Sequence, residues 1–184
     1  MARKIEFDKQ DLLEKTINFI RKNGIENLTA RNLAKYIGCS TQPIYKNFIS
    51  MNNLRDEIKN YLKDYHQNFM DKIVNKNAYL YTMNYSYTLF ALEEPNLFEA
   101  LFMSDLDGIK TLDEVIKTES DMDVLSSIPE QYHISRKQSE RLYRDVRFYT
   151  HGLSCQIACN SLSLKKEDIG LLIKNVINNL KKDV

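Results

Sequence analysis

Ser40, Thr41, Gln42 and Pro43 stand side by side, and Tyr45 and Lys46 follow at once. These side-chain types suit recognition of duplex DNA. Gln can pair two-pronged with an adenine edge, and Thr and Pro can touch a thymine methyl. Tyr45 and Lys46 suit phosphate oxygens. Thr29 and Arg31, earlier in the chain, are further phosphate donors, whose contacts fix register but read no bases. Arg3 and Lys4 form a short basic arm suited to a minor groove.

Residues 28–48 would position this set. Thr29 caps a helix with Leu33, Ala34 and Ile37 facing inward. Gly38 makes a tight turn, and Ser40 caps the next helix. Pro43 then falls in the first turn, where its missing amide has no intrahelical partner to lose. Ile44 and Phe48 anchor this helix. Two short helices about a glycine turn make a helix-turn-helix, whose second helix presents its N-terminal residues to base edges. Ahead of it, Asp8 caps a helix over Lys9–Lys22 with Leu13, Ile17 and Ile20 on one face, ended by Gly24 in the left-handed region.

The remainder also reads as helices. A fourth starts at Ser50 or Asn52 and runs to Asn75. Residues 78–92 carry a run of tyrosines, stopped by Pro95, which opens a short helix through Phe98, Leu101 and Phe102. A loop is expected at 105–108, a modest helix over 111–127, and a break from Ser126 to His133 about Pro129. Ser135 and Gln138 form a capping box. It opens a long helix with Leu142, Val146, Tyr149, Leu153 and Ile157 on one face. The last helix carries Ile169, Leu172, Ile173, Val176, Ile177 and Leu180 as a wide apolar stripe.

Composition agrees. The 184 residues are 43% hydrophobic and 28% charged, with five glycines and three prolines, too few for an all-β chain. No apolar run is long enough to span a membrane, and the N-terminus lacks an apolar signal core, so a cytoplasmic protein is expected. Residues 1–50 hold nine basic and five acidic side chains (+4), the rest 17 and 20 (−3). A basic head on an acidic body fits a DNA-reading end. No glycine-rich phosphate loop, serine elbow or metal spacing occurs. Hence no catalytic residue, metal or cofactor is expected, and the chain is not read as an enzyme. Cys39, Cys155 and Cys159 are expected as small core residues, and His66 and His133 as solvent-facing.

At Thr29, Leu33-Ala34, Gly38, Ser40, Tyr45 and Phe48 the chain resembles the TetR family of bacterial transcriptional regulators. The resemblance extends to Phe90–Phe98 and to Tyr149–Leu153, which is similar to the His-Gly segment of a common C-terminal subtype. Two features depart from the family pattern. Met51 stands where a phosphate-contacting lysine is common, and the subtype's tryptophan is missing. The resemblance implies an all-α chain of about nine helices: a three-helix head over residues 1–50, joined by the fourth helix to a ligand-binding and dimerisation domain over 51–184. It implies a homodimeric, ligand-responsive repressor on a pseudo-palindromic DNA operator, released by a small-molecule effector. The last two helices would pair with their copies through Leu153, Ile169, Leu172, Ile173, Val176, Ile177 and Leu180.

Tyr79, Met83, Tyr87, Phe90 and His151 are candidate effector contacts, suited to an aromatic or cationic compound. The competing reading is a helical adaptor whose head binds protein instead of DNA.

Overall fold

The computed structural model describes residues 7–104 and 122–182. Among them it has nine α-helices, one single 3-10 turn and no strand, which bears out the all-α expectation. The helices fall into two compact units. One runs up to His66 and resumes from Glu94 through the sixth helix; the other holds Gln67–Glu93 and the last three helices. No helix among the described residues is long and apolar enough to cross a membrane. The basic arm at Arg3 and Lys4, the 105–108 loop and most of the 111–127 helix lie outside the described residues.

In the first unit, α1 (Lys9–Asn23) starts where the Asp8 carboxylate accepts the Asp11 amide at 2.7 Å. It buries Leu12, Leu13, Ile17, Phe19 and Ile20. Gly24 ends it at φ 81°, ψ 158°. This corrects the left-handed helical expectation: the backbone sits in the extended positive-φ region that glycine alone enters freely. A Cβ there would also collide with the Glu26 carboxylate. Next come α2 (Ala30–Ile37), α3 (Gln42–Asn47) and α4 (Met51–Asp71). Ser50 caps α4, its Oγ accepting the Asn53 amide at 3.1 Å. His66, on α4, is half-buried edge-on to Phe102 at 5.0 Å and does not face solvent, whereas His133 is exposed.

The chain re-enters this unit at α6 (Pro95–Phe102). Glu94 holds the N-cap position of α6 without capping it. Its carboxylate instead accepts Arg21 Nε of α1 at 2.8 Å and the Tyr65 hydroxyl of α4 at 2.8 Å. Asn96 Nδ2 adds a bond to the Arg21 carbonyl at 2.9 Å. The Glu94 side chain is 14% exposed. Glu94→Ala strips a charged acceptor from both partners, at about 2 kcal/mol after allowing for the partly exposed Arg21. The melting temperature should then fall by roughly 4–8 °C. A thermal melt monitored by circular dichroism measures it, and an unchanged midpoint would mean the two Glu94 contacts add no net stability.

In the second unit a single 3-10 turn (Lys76–Ala78) leads into α5 (Tyr79–Glu93). Then come α7 (Met122–Tyr132), α8 (Arg136–Ala158) and α9 (Lys166–Leu180). α5 packs on α7, α8 and α9. A buried polar ladder joins α5 to α8. Thr150 donates to Asn84 Oδ1 at 2.7 Å, and Ser154 donates to Thr88 Oγ1 at 3.1 Å. Gly170 brings α9 close to α5, where an added Cβ would lie 3.0 Å from the Tyr81 hydroxyl.

Two expectations change here. Pro129 lies inside α7 and does not break it. The carbonyl its missing amide would have bonded, Leu125 O, accepts Arg136 Nη1 at 3.2 Å instead. On α8, which opens with the expected capping box, Leu142, Val146, Leu153 and Ile157 are buried but Tyr149 is 40% exposed. Its neighbour Thr150 takes the inward place because the ladder gives its hydroxyl a partner.

Candidate nucleic-acid interface

α2 begins at Thr29, whose Oγ1 accepts the Asn32 amide at 3.1 Å. The hydroxyl hydrogen of this exposed residue stays available to donate. Arg31 is also exposed, in the first turn of α2. Unpaired amides there favour an anion. α2 buries Leu33 and Ala34, then stops at Gly38 with φ 80°, ψ 35°. The Gly38 and Cys39 amides both bond Ala34 O, at 2.9 and 3.0 Å. This left-handed residue turns the chain sharply into α3.

Ser40 does not cap α3. The cap position falls to Thr41, which is already helical at φ −71°, ψ −14° and makes no side-chain capping bond. Its carbonyl accepts the Tyr45 amide at 3.2 Å. A residue in helical geometry cannot swing its side chain back over the first amides as an extended cap does. Pro43 lies in the first turn, as expected. Ile44 and Phe48 are each 1% exposed. Their i, i+4 spacing leaves Gln42, Tyr45 and Lys46 on the outward side. Ser40, Gln42 and Lys46 are exposed, Tyr45 is 51% exposed, and Thr41 and Pro43 are half-buried. The eight proposed DNA contacts thus fall on two short helices of the first unit, four at or just before the start of α3.

Sequence reasoning missed Asn47. Its Nδ2 donates to Pro43 O at 2.9 Å and to Phe7 O at 3.2 Å, tying the chain ahead of α1 to the end of α3. An amide side chain on a short helix carries no local signal for a partner 40 residues away. Ile49, between α3 and α4, is 92% exposed. Met51, where the usual lysine is absent, is half-buried.

This helical arrangement aligns over nearly the whole chain with solved regulators. One, assigned to the TetR family and from Rhodococcus sp., is 17% identical and covers 94% of this chain and 98% of its own, at a TM-score of 0.67. A transcriptional regulator from Pseudomonas aeruginosa PAO1 is 14% identical, covering 95% and 90%, at 0.62. A TetR variant from Acinetobacter baumannii AYE, solved in complex with minocycline, is 14% identical, covering 96% of each chain, at 0.58. The chain has the TetR-regulator fold. No protein-family model and no curated protein matches its sequence.

In the second unit of this TetR-type fold, the five candidate effector contacts lie on α5 and α8. Tyr79, Met83, Tyr87 and Phe90 are buried, Phe90 completely. The Tyr87 hydroxyl lies 2.8 Å from His151 Nδ1, and the Arg147 guanidinium stands 3.8 Å from the Tyr87 ring centre. The seven candidate dimer residues divide. Leu153, Ile169, Ile173 and Ile177 are buried within the chain itself, so they are core; Leu172, Val176 and Leu180 are half-exposed. Leu171 of α9, at 59%, and Phe148 and Tyr149 of α8, at 50% and 40%, are further exposed apolar or aromatic side chains. Gly152 is exposed with open space where a Cβ would stand. The cysteines are not core: Cys39 and Cys155 are half-buried and Cys159 is exposed. Among the described residues no group of three or more His, Cys, Asp or Glu could hold a metal.

Proposed function

We propose that this protein is a dimeric DNA-binding transcriptional regulator, a repressor released from its operator by a small-molecule effector. The observation that carries the reading is the outward edge of α3. Gln42, Tyr45 and Lys46 stand exposed on a helix that Ile44 and Phe48 hold from behind. Ser40, Thr41, Gln42 and Pro43 read bases; Thr29, Arg31, Tyr45 and Lys46 hold phosphates. Residues 1–50 serve as the DNA-binding domain and 51–184 as the effector-binding and dimerisation domain. Two copies pair through Phe148, Tyr149, Leu171, Leu172, Val176 and Leu180, placing their α3 helices about 34–36 Å apart, one DNA turn. Tyr79, Met83, Tyr87, Phe90 and His151 surround the effector, which acts by binding one spacing of the two heads better than the other.

The test is fluorescence anisotropy with DNA from upstream of the protein's own gene against a scrambled duplex, across a salt series. Tight binding to the upstream piece that weakens steeply with salt supports the regulator. No binding to any duplex at low salt would favour the protein-binding adaptor. Gln42→Ala should relax preference at one base pair per half-site by roughly 1–3 kcal/mol. Unchanged sequence preference would remove Gln42 from base reading.

A further inference from the structure

Three side chains of the second unit form a connected line. The Tyr87 hydroxyl of α5 lies 2.8 Å from His151 Nδ1, and His151 Nε2 lies 3.5 Å from Cys155 Sγ, one turn further along α8. Tyr87 is 1% exposed, whereas Cys155 is half-exposed. A thiol on one ring nitrogen and a buried partner on the other is the arrangement of a nucleophile, its base and the group that orients the base. With Nδ1–H donated to the Tyr87 oxygen, Nε2 presents its lone pair to the Cys155 S–H. We propose that Cys155 is an activated thiol that takes soft carbon electrophiles, α,β-unsaturated carbonyl compounds such as enones and quinones, as covalent adducts, with His151 as its base and Tyr87 as the residue that positions His151.

The step balances without a further reactant. As the Cys155 sulfur pair forms the S–C bond at the β-carbon, the alkene π pair moves to the carbonyl as an enolate. His151 Nε2 takes the thiol proton, and that proton returns through solvent to the α-carbon. Nothing leaves.

Cys39 is an in-molecule control. It is half-buried like Cys155. Burial pushes its thiol up, as burial and then the neighbouring Cys159 push up that of Cys155. Neither is therefore favoured by its resting thiolate, and the imidazole beside Cys155 is the difference.

The experiment treats the full-length protein with limiting N-ethylmaleimide and maps each cysteine's labelling rate by peptide mass spectrometry. Cys155 is expected to react roughly tenfold or more faster than Cys39. His151→Asn should bring it to about the Cys39 rate, and Tyr87→Phe to an intermediate one. Cys39 also reports on folding, since a variant that unfolds accelerates at both sites. Equal rates at Cys155 and Cys39 in the natural sequence, or a Cys155 rate untouched by His151→Asn, would overturn the proposal. Labelling is read without DNA and so stands apart from the regulator reading. That the adduct releases DNA rests on that reading: maleimide should abolish upstream-DNA anisotropy for the natural sequence and spare Cys155→Ser. Loss in both would overturn the coupling of this thiol to DNA.

Discussion

Tyr45→Ala/Lys46→Ala is expected to abolish specific DNA binding with the melting temperature almost unmoved. Both side chains point away from the core, Tyr45 being 51% exposed and Lys46 exposed. The buried side of α3, Ile44 and Phe48, is untouched. A hydrogen bond to a charged group is worth about 1.5 kcal/mol at the low end. Four such contacts in a dimer sum to about 6 kcal/mol, roughly four orders of magnitude in affinity. Removing two lysine charges should also flatten the slope of log affinity against log salt by about 2. Anisotropy titrations at several salt concentrations measure both effects, and circular dichroism checks the fold. Retained affinity would put the phosphate contacts on side chains other than Tyr45 and Lys46.

Phe48→Ala should act through stability. The ring is 1% exposed, and the Phe48 amide closes α3 on Ile44 O at 2.8 Å. The Lys9 ammonium lies 5.8 Å from the ring centre and pairs with Glu57 at 2.5 Å, so the ring sits where α1, α3 and α4 converge. Truncating a buried Phe to Ala costs about 3–5 kcal/mol, a large part of a total that is typically about 5–15 kcal/mol. The midpoint of unfolding should drop by roughly 6–20 °C. Amide hydrogen exchange should speed up most in α1–α3. A loss below about 1 kcal/mol would mean that neighbours close over the site, against the full cavity cost.

What the sequence disclosed follows how local each determinant is. Asp8, Thr29 and Ser135 were legible as caps because each bond joins one oxygen to an amide three residues on. The exposed edge of α3 followed from Ile44 and Phe48 by spacing alone. Ser40 misled because Thr41 beside it is equally a cap type, and only the backbone angles separate them. Tyr149 misled because apolar periodicity does not see that Thr150 has a buried partner 66 residues away. The wide stripe on α9 was legible, but not its division: Ile169, Ile173 and Ile177 face the chain's own core while Leu171 stands open. Glu94 gave no sign at all, its partners lying 73 and 29 residues distant.

The ladder between α5 and α8 has a mechanical consequence. Its two rungs, Asn84–Thr150 and Thr88–Ser154, share one offset, so the helices run in the same direction in fixed register. A slide of α8 by one turn either way would set Ala158 against Thr88 or Val146 against Asn84. Either slide leaves one cross-helix pair in place of two, at about 1 kcal/mol for the lost hydrogen bond. A motion of the two helices together keeps both rungs. α5 and α8 are thus keyed to each other, and a rearrangement of this unit that keeps both rungs carries the two helices as one body.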